Sequence, residues 1–463
     1  MRNKVISWTV AILAIMIVLM PEINVYATEA ESGDTAATEE LTPEQQAEKE
    51  EEEKQKEMTR VYKLEVQSNQ LKNWPEGPST YGESSIVMDI DSGAILYAKN
   101  IDEQHYPASI TKLVTALVAL ENGNLNDKVV ITDDCISFLQ GDYAQIGLKE
   151  GEKLSMEDTL YATLLASANE AAYAVAANAG NGYDWFIAQM NQRAQELGAL
   201  NTNFVNANGI HDDNHYTTTR DMALISSELF HHEKALEIMQ TLEYQIPKTN
   251  KDKKVKYIHQ KHAMLNPDRK EHYKYAVGGK TGYTGEAKNT LVTYASKDGM
   301  NLVCVEMKTL AGKIYEDTEN LLEYGFNNFN KVSIAGNDQT GHFQTVEDNG
   351  YVVLPESVSF EDLELEITQD AAQLAAGFVT YYYQNQPVGT ASVTLSQEYL
   401  TSQTEAPPTD EPPEPISENT VEQPQNDQEL PVKKAMIAFL ITVCIIVFIF
   451  IMEAMLRRRK RRR

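Results

Sequence analysis

Cysteine is scarce in this sequence, with three in 463 residues, and Cys444 sits inside a long apolar run. Only Cys135 and Cys304 remain, enough for one bridge or for two buried free thiols, but no disulfide framework. Net positive charge is also missing from the folded middle of the chain. The formal charge is −28. A phosphate backbone is held by grouped Lys and Arg, so the composition argues against nucleic acid as a partner. No internal repeat is apparent. Two stretches are poor in apolar residues. Thr28–Glu57 holds 12 acidic and 3 basic residues, and Thr401–Leu430 holds 8 acidic residues, no basic ones and 6 prolines. Neither can offset ordering entropy by burial, so both are expected to be solvated spacers, although Glu50–Glu57 is compatible with helix.

The two ends of the chain are apolar instead. Arg2 and Lys4 precede the run Val5–Met20, and small residues lead to Ala27. Residues 1–27 therefore read as a secretory signal, with an uncleaved anchor as the alternative. Ala435–Met452 is apolar throughout, Lys433 and Lys434 precede it, and every residue from Arg457 to Arg463 is Arg or Lys. About 20 residues cross a hydrocarbon core, and the heavier positive cluster stays cytoplasmic. The expectation is a single transmembrane helix at 433–456, a basic cytoplasmic tail at 457–463, and nearly all of the chain outside the cell membrane.

Between these ends lies the folded part. Ile86–Met88 and Ala94–Tyr97 flank a turn at Asp91-Ser92-Gly93, which predicts a hairpin over Ser84–Lys99. Helical spacing follows at Leu113–Leu120, apolar on nearly all sides, then over Met156–Ala166, Glu170–Ala179, Trp185–Leu197 and Thr219–Phe230. Strand patterns return at Tyr275–Thr281, Thr290–Ser296 and Asn301–Lys308. Strands at both ends with helices between them predict an α+β fold, an antiparallel sheet flanked by helices, over 58–331. Beyond Asn330 come short alternating runs, read as a small all-β domain at 332–400, ahead of the Pro-rich acidic linker at 401–432.

Three short segments carry chemistry. Pro107–Lys112 opens the apolar helix and places Ser109 and Lys112 one turn apart on one face. A serine with an amine neighbour suits nucleophilic catalysis, provided desolvation or a second cation lowers the amine's pKa. The helix start also offers free N–H groups to a developing oxyanion. Ser167-Ala168-Asn169 forms a small-residue bend between two helices, presenting a hydroxyl and an amide. Lys280-Thr281-Gly282 follows two glycines at a strand end, offering a cation and a hydroxyl to a carboxylate.

Taken together, S-x-x-K, S-x-N and K-T-G in this order resemble the low-molecular-weight penicillin-binding proteins that act as D-Ala-D-Ala carboxypeptidases, within the β-lactamase/transpeptidase-like superfamily. Met88-Asp89 to Gly93, Leu197-Gly198 to Asn206, Gly209 and Tyr216–Ala223 extend the likeness over roughly Ser84–Asn330. The resemblance implies Ser109 as nucleophile, Lys112 as its proton acceptor and Ser167 as the group passing a proton to the leaving amine. It implies Asn169 as an orienting amide and Lys280 with Thr281 as the carboxylate site. The backbone N–H groups of Ser109 and Tyr283 would form the oxyanion hole. The implied substrate is the peptidoglycan stem pentapeptide, with β-lactams as covalent inhibitors and no metal or other cofactor. His231-His232 and His259-x-x-His262 are accordingly read as surface or core histidines. Two departures stand out. Glu196 precedes Leu200-Asn201 by four residues rather than the three of deacylating β-lactamases, so stable acylation is expected. A membrane span with a basic stop also replaces the amphipathic anchor common among relatives. An endopeptidase, transpeptidase or esterase on the same scaffold remains open, as does an inactive wall-binding protein, although all seven motif positions are filled.

Overall fold

The computed structural model describes residues 42–310, 312–347 and 350–404. The signal at 1–27, most of the linker, the apolar run at 433–456 and the basic tail lie outside these residues. Among the described residues no helix is long and apolar enough to cross a membrane.

The apolar runs near both ends of the catalytic region pair with each other. The strands in chain order are β1 (Ser84–Asp89), β2 (Ile95–Lys99), β3 (Lys128–Val130), β4 (Lys153–Ser155), β5 (Glu243–Ile246), β6 (Lys256–His259), β7 (Ala276–Thr284), β8 (Lys288–Lys297) and β9 (Met300–Thr309). Five of them form one antiparallel sheet in the order β2-β1-β9-β8-β7; β3–β4 and β5–β6 are separate two-stranded antiparallel sheets. Sequence ends meet at β1 and β9, where Ile86 faces Val305 and Val87 faces Cys304. Side chains alternate across a strand, so the two faces feed different cores. Ile86, Met88, Val303 and Val305 pack with Leu113, Leu117 and Ile225 on one side. Val87, Leu302 and Cys304 pack with Leu321 and Leu322 of the helix Ile314–Asn328 on the other. The helix Thr111–Asn122 is buried from Thr111 through Ala119, as its all-round apolarity demands.

Beyond β9, β10 (Asn330–Ser333) pairs with β12 (Tyr351–Leu354). A second sheet follows in the order β11-β15-β14-β13, comprising Phe343–Val346, Gln386–Leu395, Ala376–Tyr383 and Glu364–Gln369. Val352, Val379 and Val388 join the same core as Val87 and Leu96. Hydrogen bonds tie the two regions: Thr390 N–H to Ser92 O at 2.7 Å, Gln386 Nε2 to Ile95 O at 2.8 Å, and Tyr351 OH to Asp89 Oδ1 at 2.9 Å.

Two readings need correction or completion. From Pro43 onward the acidic stretch, read as a solvated spacer with helix allowed at Glu50–Glu57, is a helix, Pro43–Tyr62, exposed over most of its length. Thr42 and Gln45 exchange capping bonds at its start, and pairs such as Lys56–Glu52 at 2.7 Å line its exposed flank. Its far end is docked by Lys99, which is buried and donates to Val61 O at 2.9 Å and Thr80 O at 2.8 Å. Burial lowers the Lys99 pKa to about 8. Cys135 and Cys304 are both buried and free, so of the two alternatives the structure holds separate thiols.

Candidate active site

Ser109 lies in the short turn Ala108–Ile110 that feeds the helix Thr111–Asn122. Ala108 takes a left-handed φ of 50°, a strain that surrounding contacts must hold in place. Two glycines provide those contacts. A Cβ at Gly209 would stand 1.8 Å from Ala108 O, and its φ is +80°. A Cβ at Gly282, on β7, would stand 2.8 Å from the Ser109 nitrogen. Only bare backbone can approach Ser109 this closely from two sides. We therefore expect Gly209→Ala to lower the melting temperature and slow acylation together, through clash and backbone strain of roughly 1–3 kcal/mol. A variant with wild-type melting and acylation would show that the turn can yield.

Lys112, one turn on, is wholly buried. Its Nζ is 2.8 Å from Ser109 Oγ and 2.8 Å from Asn169 Oδ1, and it also meets Asn208 O. A neutral amine has two N–H groups and one lone pair. Asn169 Oδ1 and Asn208 O can only accept, so they take the two N–H groups and leave the lone pair to the Ser109 hydroxyl. Burial drives the Lys112 pKa well below 10.5, and the cations Lys280 and Lys261 push it further down. The helix interior thus presents a base beside a hydroxyl.

The second segment is a bend between the helices Met156–Leu164 and Asn169–Asn178. Ser167 is held at φ 58°, again left-handed, and its Oγ accepts from Lys280 Nζ at 3.0 Å. Asn169 heads its helix; its N–H donates to Ala144 O at 2.8 Å, which attaches the 142–147 segment. Glu170, buried just behind, grips the same segment by accepting from Ile146 and Gly147 N–H at 2.7 and 3.1 Å.

The third segment is β7. Lys280 pairs with Val292 and Thr281 with Leu291 in the β7–β8 ladder. Lys280 Nζ also donates to Thr281 O at 2.8 Å. Burial first, then Lys261, lowers the Lys280 pKa to about 7. A cavity of about 450 Å³ opens above these groups, lined by Ser109, Tyr143, Asn169, Gly209, Tyr283 and Glu286 among others. Tyr283 lines this cavity and is 66% exposed.

All three segments chosen from sequence thus converge. Ser109, Lys112 and Asn169 form one bonded group, and Ser167 with Lys280 forms a second. Thr281 stands beside Lys280 on the strand. Sequence reasoning missed the Asn208 carbonyl, Glu170 and Lys261. Glu196 points elsewhere: it bonds Gln192 at 2.8 Å and stands 3.6 Å from Arg193. Among the described residues, Glu121, Glu228 and His232 have ligand-type atoms within 4.8 Å of one another. Arg193 already bridges Glu121 at 2.9 Å and Glu228 at 2.6 Å, supplying the positive charge there. His262 is buried against Thr293 Oγ1 at 3.0 Å, and His259 is exposed beside Glu243.

Known proteins are similar to this chain in sequence and fold. A model of the D-alanyl-D-alanine carboxypeptidase family matches residues 72–310. The D-alanyl-D-alanine carboxypeptidase DacF of Bacillus subtilis is 32% identical over 56% of this chain. DacB2 of Mycobacterium tuberculosis is 31% identical over 54% of this chain and 84% of its own length. The match spans 65% of the Bacillus protein, less than two thirds of it. A crystal structure of a Mycobacterium tuberculosis D-alanyl-D-alanine carboxypeptidase superimposes with a TM-score of 0.50 at 29% identity, covering 57% of this chain and 96% of that one. A Streptomyces DD-transpeptidase gives 0.51 at 28% identity, over 55% and 100%. With the three motif segments hydrogen-bonded to one another and more than half of the chain matched by the family model, this chain belongs to the D-alanyl-D-alanine carboxypeptidase family.

Proposed function

We propose that this chain is a serine-type D-Ala-D-Ala carboxypeptidase that removes the terminal D-alanine from peptidoglycan stem pentapeptides. The observation that carries the reading is Lys112, its two N–H groups engaged by carbonyl oxygens and its third contact the Ser109 hydroxyl. Ser109 Oγ attacks the carbonyl of the penultimate D-alanine, and its proton passes to Lys112. The Ser109 and Tyr283 backbone N–H groups hold the oxyanion. The C–N bond then breaks while Ser167 relays a proton to the departing amine, and D-alanine leaves. Asn169 orients the peptide. Lys280 and Thr281 hold the terminal carboxylate, the step that ties cleavage to the chain end. Water then splits the ester, with Lys112 accepting its proton. Glu196 is engaged with Arg193 and Gln192, which supports slow deacylation of β-lactam adducts. The purified full chain should release D-alanine from a muramyl pentapeptide. Absence of release, with the peptide bound, would refute this reading.

Charge makes the reading sensitive to pH. Beyond the effect of burial, two cations depress the Lys112 pKa and one depresses that of Lys280. Lys280 is cationic below about pH 7 and neutral above it. For a substrate ending in carboxylate, kcat/KM of the free enzyme should therefore fall as pH rises through about 7. An ester or amide without that carboxylate should lack the alkaline fall. The same limb in both substrates would detach Lys280 from carboxylate recognition.

We assign the exported and anchored topology on sequence grounds. The run Ala435–Met452 with its Arg-rich stop supports a single span, the catalytic region lying outside the cell membrane and the acidic Pro-rich linker as its tether. The strands after Asn330 contribute no nucleophile, base or acid to the pocket and fit a spacing or docking role.

A further inference from the structure

Resting on the carboxypeptidase reading above, we infer that Glu170 is a positioning residue of that reaction. It latches the 142–147 segment in place as a wall of the Ser109 cavity, and so sets how tightly the stem peptide is held.

The wall runs as turn and coil, without helix or strand. Asp142, Tyr143 and Ala144 line the cavity of about 450 Å³ above Ser109, so a peptide filling that cavity meets them. Three hydrogen bonds tie the segment to the helix Asn169–Asn178, and all three end on its first two residues. Asn169 N–H donates to Ala144 O at 2.8 Å. Glu170 Oε1 accepts from Ile146 N–H at 2.7 Å and from Gly147 N–H at 3.1 Å. Gly147 has a φ of +71°, and successive N–H groups beside such a left-handed residue form a concavity suited to an anionic oxygen.

The burial of Glu170 argues against a packing role. The residue is fully buried, and its second oxygen, Oε2, has no hydrogen-bond partner. Such an oxygen costs stability, and an apolar side chain would fill the space without that cost. What the carboxylate alone supplies is an acceptor for the wall. Glu170 is not among the residues lining the Ser109 cavity, so its effect on bound peptide runs through the segment it holds. The neighbouring Asn169 couples wall and base, its N–H holding Ala144 while its Oδ1 takes an N–H of Lys112 at 2.8 Å. The Glu170 charge also acts on Lys112 and Lys261. The isosteric, neutral Glu170→Gln tells a charge effect from a latch.

Full-length wild type, Glu170→Ala, Glu170→Gln, Tyr143→Ala and the double variant Glu170→Ala/Tyr143→Ala would be assayed for D-alanine release from a muramyl pentapeptide. Active enzyme is counted by penicillin titration, and folding is followed by thermal melts. We expect Glu170→Ala to raise KM about tenfold or more with kcat within about threefold, because Ser109, Lys112 and Asn169 keep their mutual contacts. Glu170→Gln should recover most of the loss, since its carbonyl oxygen accepts the same two N–H groups. Tyr143→Ala should raise KM by itself, and Glu170→Ala added to it should cost little more, the wall having already lost its contact. Wild-type KM in Glu170→Ala would overturn the assignment, as would full additivity in the double variant. Glu170→Gln as impaired as Glu170→Ala would also overturn it by moving the effect to charge. Should Glu170→Ala fail to fold, wild-type KM in Tyr143→Ala still removes the wall from peptide binding and ends the proposal. No release by wild type would instead refute the carboxypeptidase reading, and the latch with it.

Discussion

Ser109→Ala is expected to abolish both D-alanine release and covalent labelling by a fluorescent penicillin. Loss of a serine nucleophile costs up to about a million-fold in rate, and here no second hydroxyl is placed to substitute. Ser167, the serine of the second motif, bonds Lys280 at 3.0 Å, and the contacts of Lys112 are Ser109, Asn169 and Asn208. The substitution removes one oxygen from a half-buried position and leaves the Lys112 N–H partners intact, so folding should be unchanged. A gel of wild type beside variant, with a thermal melt for each, is sufficient. A labelled band of wild-type intensity in Ser109→Ala would place the nucleophile on another residue.

Most of the fold could be read from the chain because its signals are local and periodic. The helix Thr219–Phe230 begins where Thr218 caps it, with the side chain accepting from Asp221 N–H at 3.0 Å. The strands Ala376–Tyr383 and, from Gly389 on, Gln386–Leu395 alternate as a sheet with one buried face must. What escaped notice lacks such a signal. Pro43–Tyr62 has a capping box, but its composition is so acidic that solvation dominates any reading by burial. Ile314–Asn328 builds its buried face from Ile314, Leu321, Leu322 and Tyr324 together with the polar Asp317 and Thr318, which blurs the apolar stripe. In the site, Lys112 and Lys280 could be found because the chemistry needs a particular side chain. The Asn208 contribution is a backbone oxygen, which any residue could supply. Glu170 follows the S-x-N motif directly, yet only the folded 142–147 segment reveals what its carboxylate holds. The oxyanion donors pose the same difficulty: Tyr283 would act through an N–H, so its side-chain identity carries no information.

The second large effect concerns the base. An amine at its ordinary pKa near 10.4 would be neutral in only about 1 molecule in 2,500 at pH 7. The buried position of Lys112, with Lys280 and Lys261 nearby, removes that handicap by penalising the charged form. Lys112→Ala should slow penicillin acylation by about a hundred- to ten-thousand-fold, the usual range for a lost general base. It also strands Asn169 Oδ1 and Asn208 O, at about 1–3 kcal/mol for each unsatisfied group, so some loss of melting temperature is expected alongside. Lys112→Arg separates the two consequences. A guanidinium keeps N–H donors for both carbonyl oxygens but does not give up its proton at any working pH. Acylation should therefore stay as slow in Lys112→Arg as in Lys112→Ala, even where stability recovers. Fast acylation by the arginine variant would mean that residue 112 only positions Ser109, and that the proton leaves by another route.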